Sequence, residues 1–183
     1  MSNLRGVAVV VCCWVACMAQ AQELWADTRA GMTPDEVVQL VPNAYRATQG
    51  PDFKAFDDWP GMTLQARVDH VEILGVSAYV LFGFIDNGLE RVVLAFSSDG
   101  MSRSTHESQC RTFRAALNSR YGPEGSVSED TSSLLGSDFE LLEYLWFSGG
   151  TRVRLSCTFL GSASRDPVMI LTIAYHHLGA SGL

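Results

Sequence analysis

Three hydrophobic patterns divide the chain. There is one unbroken apolar run near the N-terminus, two stretches at helical spacing, and six segments of strand length. The first helical stretch is Thr33 to Val41. Thr33-Pro34-Asp35-Glu36 places a hydroxyl at the N-cap, proline at the first helical position and Glu36 at the third, the arrangement of a capping box. Val37, Val38, Leu40 and Val41 supply the buried stripe, and Pro42 closes the helix. The second stretch runs from Thr105 to Tyr121, where Cys110, Phe113, Leu117 and Tyr121 recur every three or four residues and so share one face. Ser104 with Glu107 predicts a second capping box, and Gly122-Pro123 ends the helix.

Strand-like sequence follows each helix. Arg67 to Leu74, Val76 to Ile85 and Glu90 to Ser97 are rich in β-branched and aromatic residues, with Asp86-Asn87-Gly88 as a hairpin signal. Leu141 to Phe147, Thr151 to Phe159 and Val168 to His176 follow the second helix, the first two joined by a turn at Ser148-Gly149-Gly150. Val153, Leu155, Cys157 and Phe159 alternate with Arg152, Arg154, Ser156 and Thr158, which predicts one buried and one wet face. The expected fold is therefore α+β. Two tandem helix-plus-three-strand units, at about 31–97 and 104–177, share one core, with both helices on one face of an antiparallel sheet. Two segments fit no element. Gln49 to Met62 carries Phe53, Phe56 and Trp59 among acidic residues, and Gly125 to Asp138 is polar, Ser/Gly-rich and reads as a mobile loop.

Gly31-Met32-Thr33-Pro34-Asp35-Glu36-Val37 resembles the Gly-Met-Thr-x-x-Glu-Val opening of small bacterial envelope proteins. These are the SmpA/OmlA-type outer-membrane assembly lipoproteins and the β-lactamase-inhibitor-protein-like modules. The tandem order of helix and strands is similar to the latter. The resemblance implies that fold and an envelope location, with an outer-membrane-associated assembly role as one possible function.

The unbroken run changes the picture of location. Arg5 precedes twelve apolar residues from Val7 to Met18, and Ala19-Gln20-Ala21 follows, the pattern of a secretory signal peptide cleaved after Ala21. The run is too short to span a bilayer, which takes roughly 20 residues. Cleavage leaves one mature domain, 22–183, in the periplasm or outside the cell; lipidation at Cys17 is the competing reading, weakened by Trp14 where leucine is usual. Cys12, Cys13 and Cys17 leave with the leader, so Cys110 and Cys157 remain for one bridge. Cys110 shares a helix face with Phe113 and Leu117, and Cys157 shares a strand face with Val153 and Leu155, so both aim into the helix-to-sheet interface.

Composition narrows the function. Of 183 residues, 47% are apolar, enough for a core and too many for a disordered chain. A net charge of −7 argues against nucleic acid or an anionic membrane surface as partner. Among the four histidines, His176-His177 end a strand on opposite faces, His106 sits in the first turn of a helix where the dipole disfavours its cation, and His70 lies in a polar strand. There is no Gly-x-Ser-x-Gly elbow, no zinc-type Cys/His spacing and no phosphate-cradling glycine loop; Asp57-Asp58 reads as a solvated pair. These residues predict no catalytic site, no metal and no cofactor. The expected function is that of an exported, soluble, non-catalytic envelope module binding another protein or a cell-wall component. A periplasmic small-ligand carrier is the alternative. Phe53, Phe56 and Trp59 form the first candidate patch, and Tyr144, Trp146, Arg152 and Arg154 the second.

Overall fold

The computed structural model describes residues 25–47, 61–96, 101–134, 137–162 and 165–179. The predicted leader with its cleavage point after Ala21, Cys17, the Asp57-Asp58 pair and the aromatic patch Phe53, Phe56 and Trp59 lie outside the described residues. In chain order the elements are α1 (Pro34–Leu40), β1 (Tyr45–Arg46), β2 (Thr63–Ile73), β3 (Val76–Ile85), β4 (Gly88–Phe96), α2 (Arg103–Tyr121), β5 (Ser126–Leu134), β6 (Ser137–Ser148), β7 (Thr151–Ser162) and β8 (Arg165–His177).

The eight strands form one antiparallel sheet in the order β1-β2-β3-β4-β8-β7-β6-β5. This corrects the α+β expectation of two helix-plus-three-strand units. The described residues are β-rich: a helix of 7 residues and one of 19 pack on a single continuous sheet, and each is followed by four strands rather than three. Two strands are added to the six expected: the two-residue β1, and β5, which lies in the segment expected to be a mobile loop. Ser126 to Leu134 pairs along its whole length with β6, from Ser126 opposite Leu145 to Leu134 opposite Ser137. Strands β6 to β8 also extend past their apolar alternation, because backbone pairing continues where side chains become polar.

Turn chemistry fixes the register. Asp86 and Asn87 both take positive φ, 48° and 66°, between Ile85 and its partner Gly88, a two-residue turn whose hand matches strand twist. Gly149 and Gly150 do the same between Ser148 and Thr151.

The start of α1 shows what the Gly-Met-Thr sequence does mechanically. Gly31 sits at φ 81°, a conformation that disfavours any residue with a Cβ. Its N–H donates to Leu89 O, and Met32 O accepts from Leu89 N at 2.8 Å, so the chain is stitched to β4 before the helix begins. Thr33 then caps the helix and Glu36 bonds back to Thr33 N at 2.7 Å, completing the predicted box. In α2 the cap moves. Ser102, not Ser104, accepts from Thr105 N, and Glu107 pairs with Arg103 instead of closing a box.

One face of the sheet carries the main core. Val37 and Val41 of α1 and Cys110, Phe113 and Leu117 of α2 join Val80, Phe82, Phe84, Leu94, Trp146, Leu155 and Ile173 in a single cluster. Phe96 and Phe113 pack with ring centroids 4.4 Å apart. The two halves of the chain meet where β4 pairs with β8, from Arg91 opposite His176 to Phe96 opposite Leu171. Cys110 and Cys157 form a disulfide tying α2 to β7.

Candidate functional site

Two surfaces bring chemistry-bearing side chains together. The first is the face of the sheet that lies opposite the main core. Cross-strand register builds it in rows. Arg91, His176, Arg152 and Phe147 occupy one row; Leu81, Val93, Ala174, Arg154 and Leu145 the next. Ala95, Thr172, Ser156 and Glu143 make the third, Ile170, Thr158 and Leu141 the fourth, and Val168, Leu160 and Phe139 the fifth.

These rows differ in cover. Leu64, Leu81, Val93 and Ala174 are buried in a second, smaller cluster towards β2 to β4. At the β6 to β8 end the apolar residues stand open: Val168 is 51% exposed, Ile170 43% and Leu160 36%. Between the two lies a polar network. Glu143 accepts from Ser156 Oγ at 2.9 Å and pairs with Arg154 at 3.3 Å. Arg152 approaches His176 Nδ1 at 3.5 Å. Burial, reinforced by Arg152, Arg91, His177 and Arg154, lowers the His176 pKa to about 4, so the ring is neutral near pH 7. Burial and Arg154 likewise lower the pKa of Arg152.

The second surface is a groove between α2 and strands β6 and β7, with a volume of about 290 Å3. Its wall includes Leu142, Tyr144, Phe159 and the Cys110–Cys157 disulfide. Arg103 pairs with Glu107 at 2.9 Å and also with Glu140, and lies 4.5 Å over the Phe159 ring. Arg114 pairs with Glu124 and lies 4.6 Å over the Tyr144 ring. Both guanidiniums thus lie within cation–π distance of an aromatic ring.

The structure redistributes the residues singled out by sequence. Tyr144 and Trp146 do not share a surface with Arg152 and Arg154. The aromatics face α2, and Trp146 is fully buried, donating from Nε1 to Asn118 Oδ1 at 2.9 Å and Gly122 O at 3.1 Å. The arginines share the opposite face with Leu145 and Phe147, as strand alternation requires. His176 is half-buried within the first row rather than a strand end entering solvent. His70 is exposed beside Ser77, 3.0 Å away. His106 is buried beneath α2, which its place in the first helical turn did not announce. Among the described residues no group of three or more His, Cys, Asp or Glu side chains could hold a metal ion. No described helix is long and apolar enough to cross a membrane. No family model, curated protein or solved structure matches this chain.

Proposed function

We propose that this chain is an exported envelope module that acts by binding another envelope protein, using the open β6–β8 end of the sheet face opposite α2, and that it catalyses no reaction. The observation that carries the reading is the exposed group Val168, Ile170 and Leu160, contiguous across two strands and backed by half-buried Phe139 and Leu141. Apolar side chains gathered in adjacent rows differ from the scattered single ones that any soluble surface carries. The Arg154–Glu143–Ser156 network beside them supplies a directional polar rim. Two further facts support export: the leader-like N-terminal pattern and a disulfide between the two cysteines that a mature chain would keep.

The test places a photo-crosslinking amino acid at Ile170, at Leu160 and, as a control, at Leu74 in the β2–β3 turn, in cells that export the protein. Discrete adducts are expected from the first two positions and not from Leu74. Ile170→Asp should abolish adduct formation from position 160 while leaving the thermal midpoint nearly unchanged, because the side chain is exposed. Equal labelling at all three positions, or adducts indifferent to Ile170→Asp, would overturn the reading.

A further inference from the structure

The groove under α2 contains an unmet requirement. His106 is only 4% exposed, lines the cavity, and neither ring nitrogen has a hydrogen-bond partner. Buried polar atoms are almost always partnered, so this ring is set to meet something that enters. Burial lowers its pKa, which leaves a neutral imidazole offering one donor and one acceptor. At the mouth, the two carboxylates that line the groove, Glu107 and Glu140, are both engaged by Arg103. Arg111 lines the same groove and has no ion pair among the described residues.

We propose that this groove binds a small carboxylate with an apolar body and a second polar group at its far end, the carboxylate on Arg111 and the polar group on His106. Two lining residues set the class: His106 is buried within the groove and Arg111 is exposed at its edge, so a ligand that meets both carries its anionic group and its second polar group at opposite ends. Leu142, Tyr144 and Phe159 give the groove an apolar wall for the body of such a ligand, with Arg103 and Arg114 already lying over the two aromatic rings. A cavity of about 290 Å3 stands at the small end of ligand sites, enough for one ring and not for a nucleotide. An arginine with no ion pair among the described residues favours a carboxylate, which it meets with two parallel N–H donors. The site lies on the face away from the proposed protein-docking surface and does not depend on that reading.

The experiment is a titration of the isotope-labelled chain, followed by amide NMR, with three probes. They are 4-hydroxybenzoate, its neutral analogue 4-hydroxybenzamide, and benzoate, which lacks the second polar group. Saturable shifts confined to α2, β6 and β7 are expected for 4-hydroxybenzoate, with Kd of about 1 mM or below. The amide should bind at least ~10-fold more weakly, and benzoate several-fold more weakly. Arg111→Gln, at an exposed position, should bring 4-hydroxybenzoate down to the affinity of the amide while leaving the amide unchanged. The benzoate comparison tests the His106 contact without altering a buried residue. No saturable shift at about 20 mM, equal binding of acid and amide, or indifference to Arg111→Gln would each overturn the site. Equal binding of benzoate and 4-hydroxybenzoate would remove His106 from it.

Discussion

Trp146 is where the residue scale decides stability most sharply. Its ring is buried between the sheet and the C-terminal end of α2, and its one donor reaches both Asn118 Oδ1 and Gly122 O, the cap of that helix. Trp146→Phe keeps most of the apolar contact but leaves two half-buried acceptors without their donor, a loss expected to cost about 1 kcal/mol in urea unfolding. Trp146→Ala adds the cavity and should cost about 3–5 kcal/mol. A Phe variant as stable as wild type would show that the indole N–H contributes nothing. His176 gives a pH signature of defined sign. Its folded pKa of about 4 lies below the unfolded value of roughly 6.5, so the unfolded chain binds more protons between those values. The stability contribution is therefore fully present above about pH 6.5 and drains away as pH falls towards 4. Because the ring is half-buried, solvent screening discounts the effect to about 1–2 kcal/mol. His176→Asn should reduce the stability lost between about pH 7 and pH 4.5 by that amount. Parallel pH profiles for the two proteins would refute the assignment.

At the scale of elements, α2 is held less by its own sequence than by what it covers. The Cys110–Cys157 bridge joins it to β7 across 47 residues. Closing a loop of that size contributes on the order of 4 kcal/mol by the chain-entropy model. Cys110→Ala/Cys157→Ala should lose about that much in denaturant unfolding, and reduction of the wild-type protein should reproduce the loss. A double variant within about 1 kcal/mol of wild type would place the stability elsewhere. This element was legible beforehand because periodicity put each cysteine on the apolar face of its own segment, and two such faces must meet. Strand β5 was not legible. Ser-Val-Ser-Glu-Asp-Thr-Ser-Ser-Leu has the composition of a loop, and it is a strand only because β6 offers it an edge, a tertiary fact with no local trace. The α2 cap was missed by two residues for a related reason: Ser102, Ser104 and Thr105 are all competent caps, and their hydroxyls cluster at 2.8 to 3.0 Å around Ser102. The candidate surfaces were half legible. Alternation placed Arg152 and Arg154 on one face, but the apolar residues of β6 on both faces hid which of them belonged to the core. Val168, Leu160 and Ile170 were unremarkable as sequence, since a strand's exposed apolar residues differ from buried ones only once its neighbours are known.

For the whole molecule, the decisive junction is β4 with β8. It converts two stretches of chain, each beginning with a helix, into one sheet with one main core. Neither half can bury its inner face without the other: Leu94 lies opposite Ile173 and Val92 opposite Tyr175, all within the same cluster. The protein should accordingly unfold as a single cooperative unit, as domains under about 150–200 residues with one core generally do. Leu94→Ala, at a residue 2% exposed, is expected to cost about 2–5 kcal/mol and to do so everywhere at once. Native-state hydrogen exchange would read this directly. The slowest amides of β3, on one side of the junction, and of β7, on the other, should both lose protection by the same free energy in the variant. Loss confined to β3, with β7 as protected as before, would mean that the halves unfold separately and that β4–β8 pairing joins two stable units rather than making one.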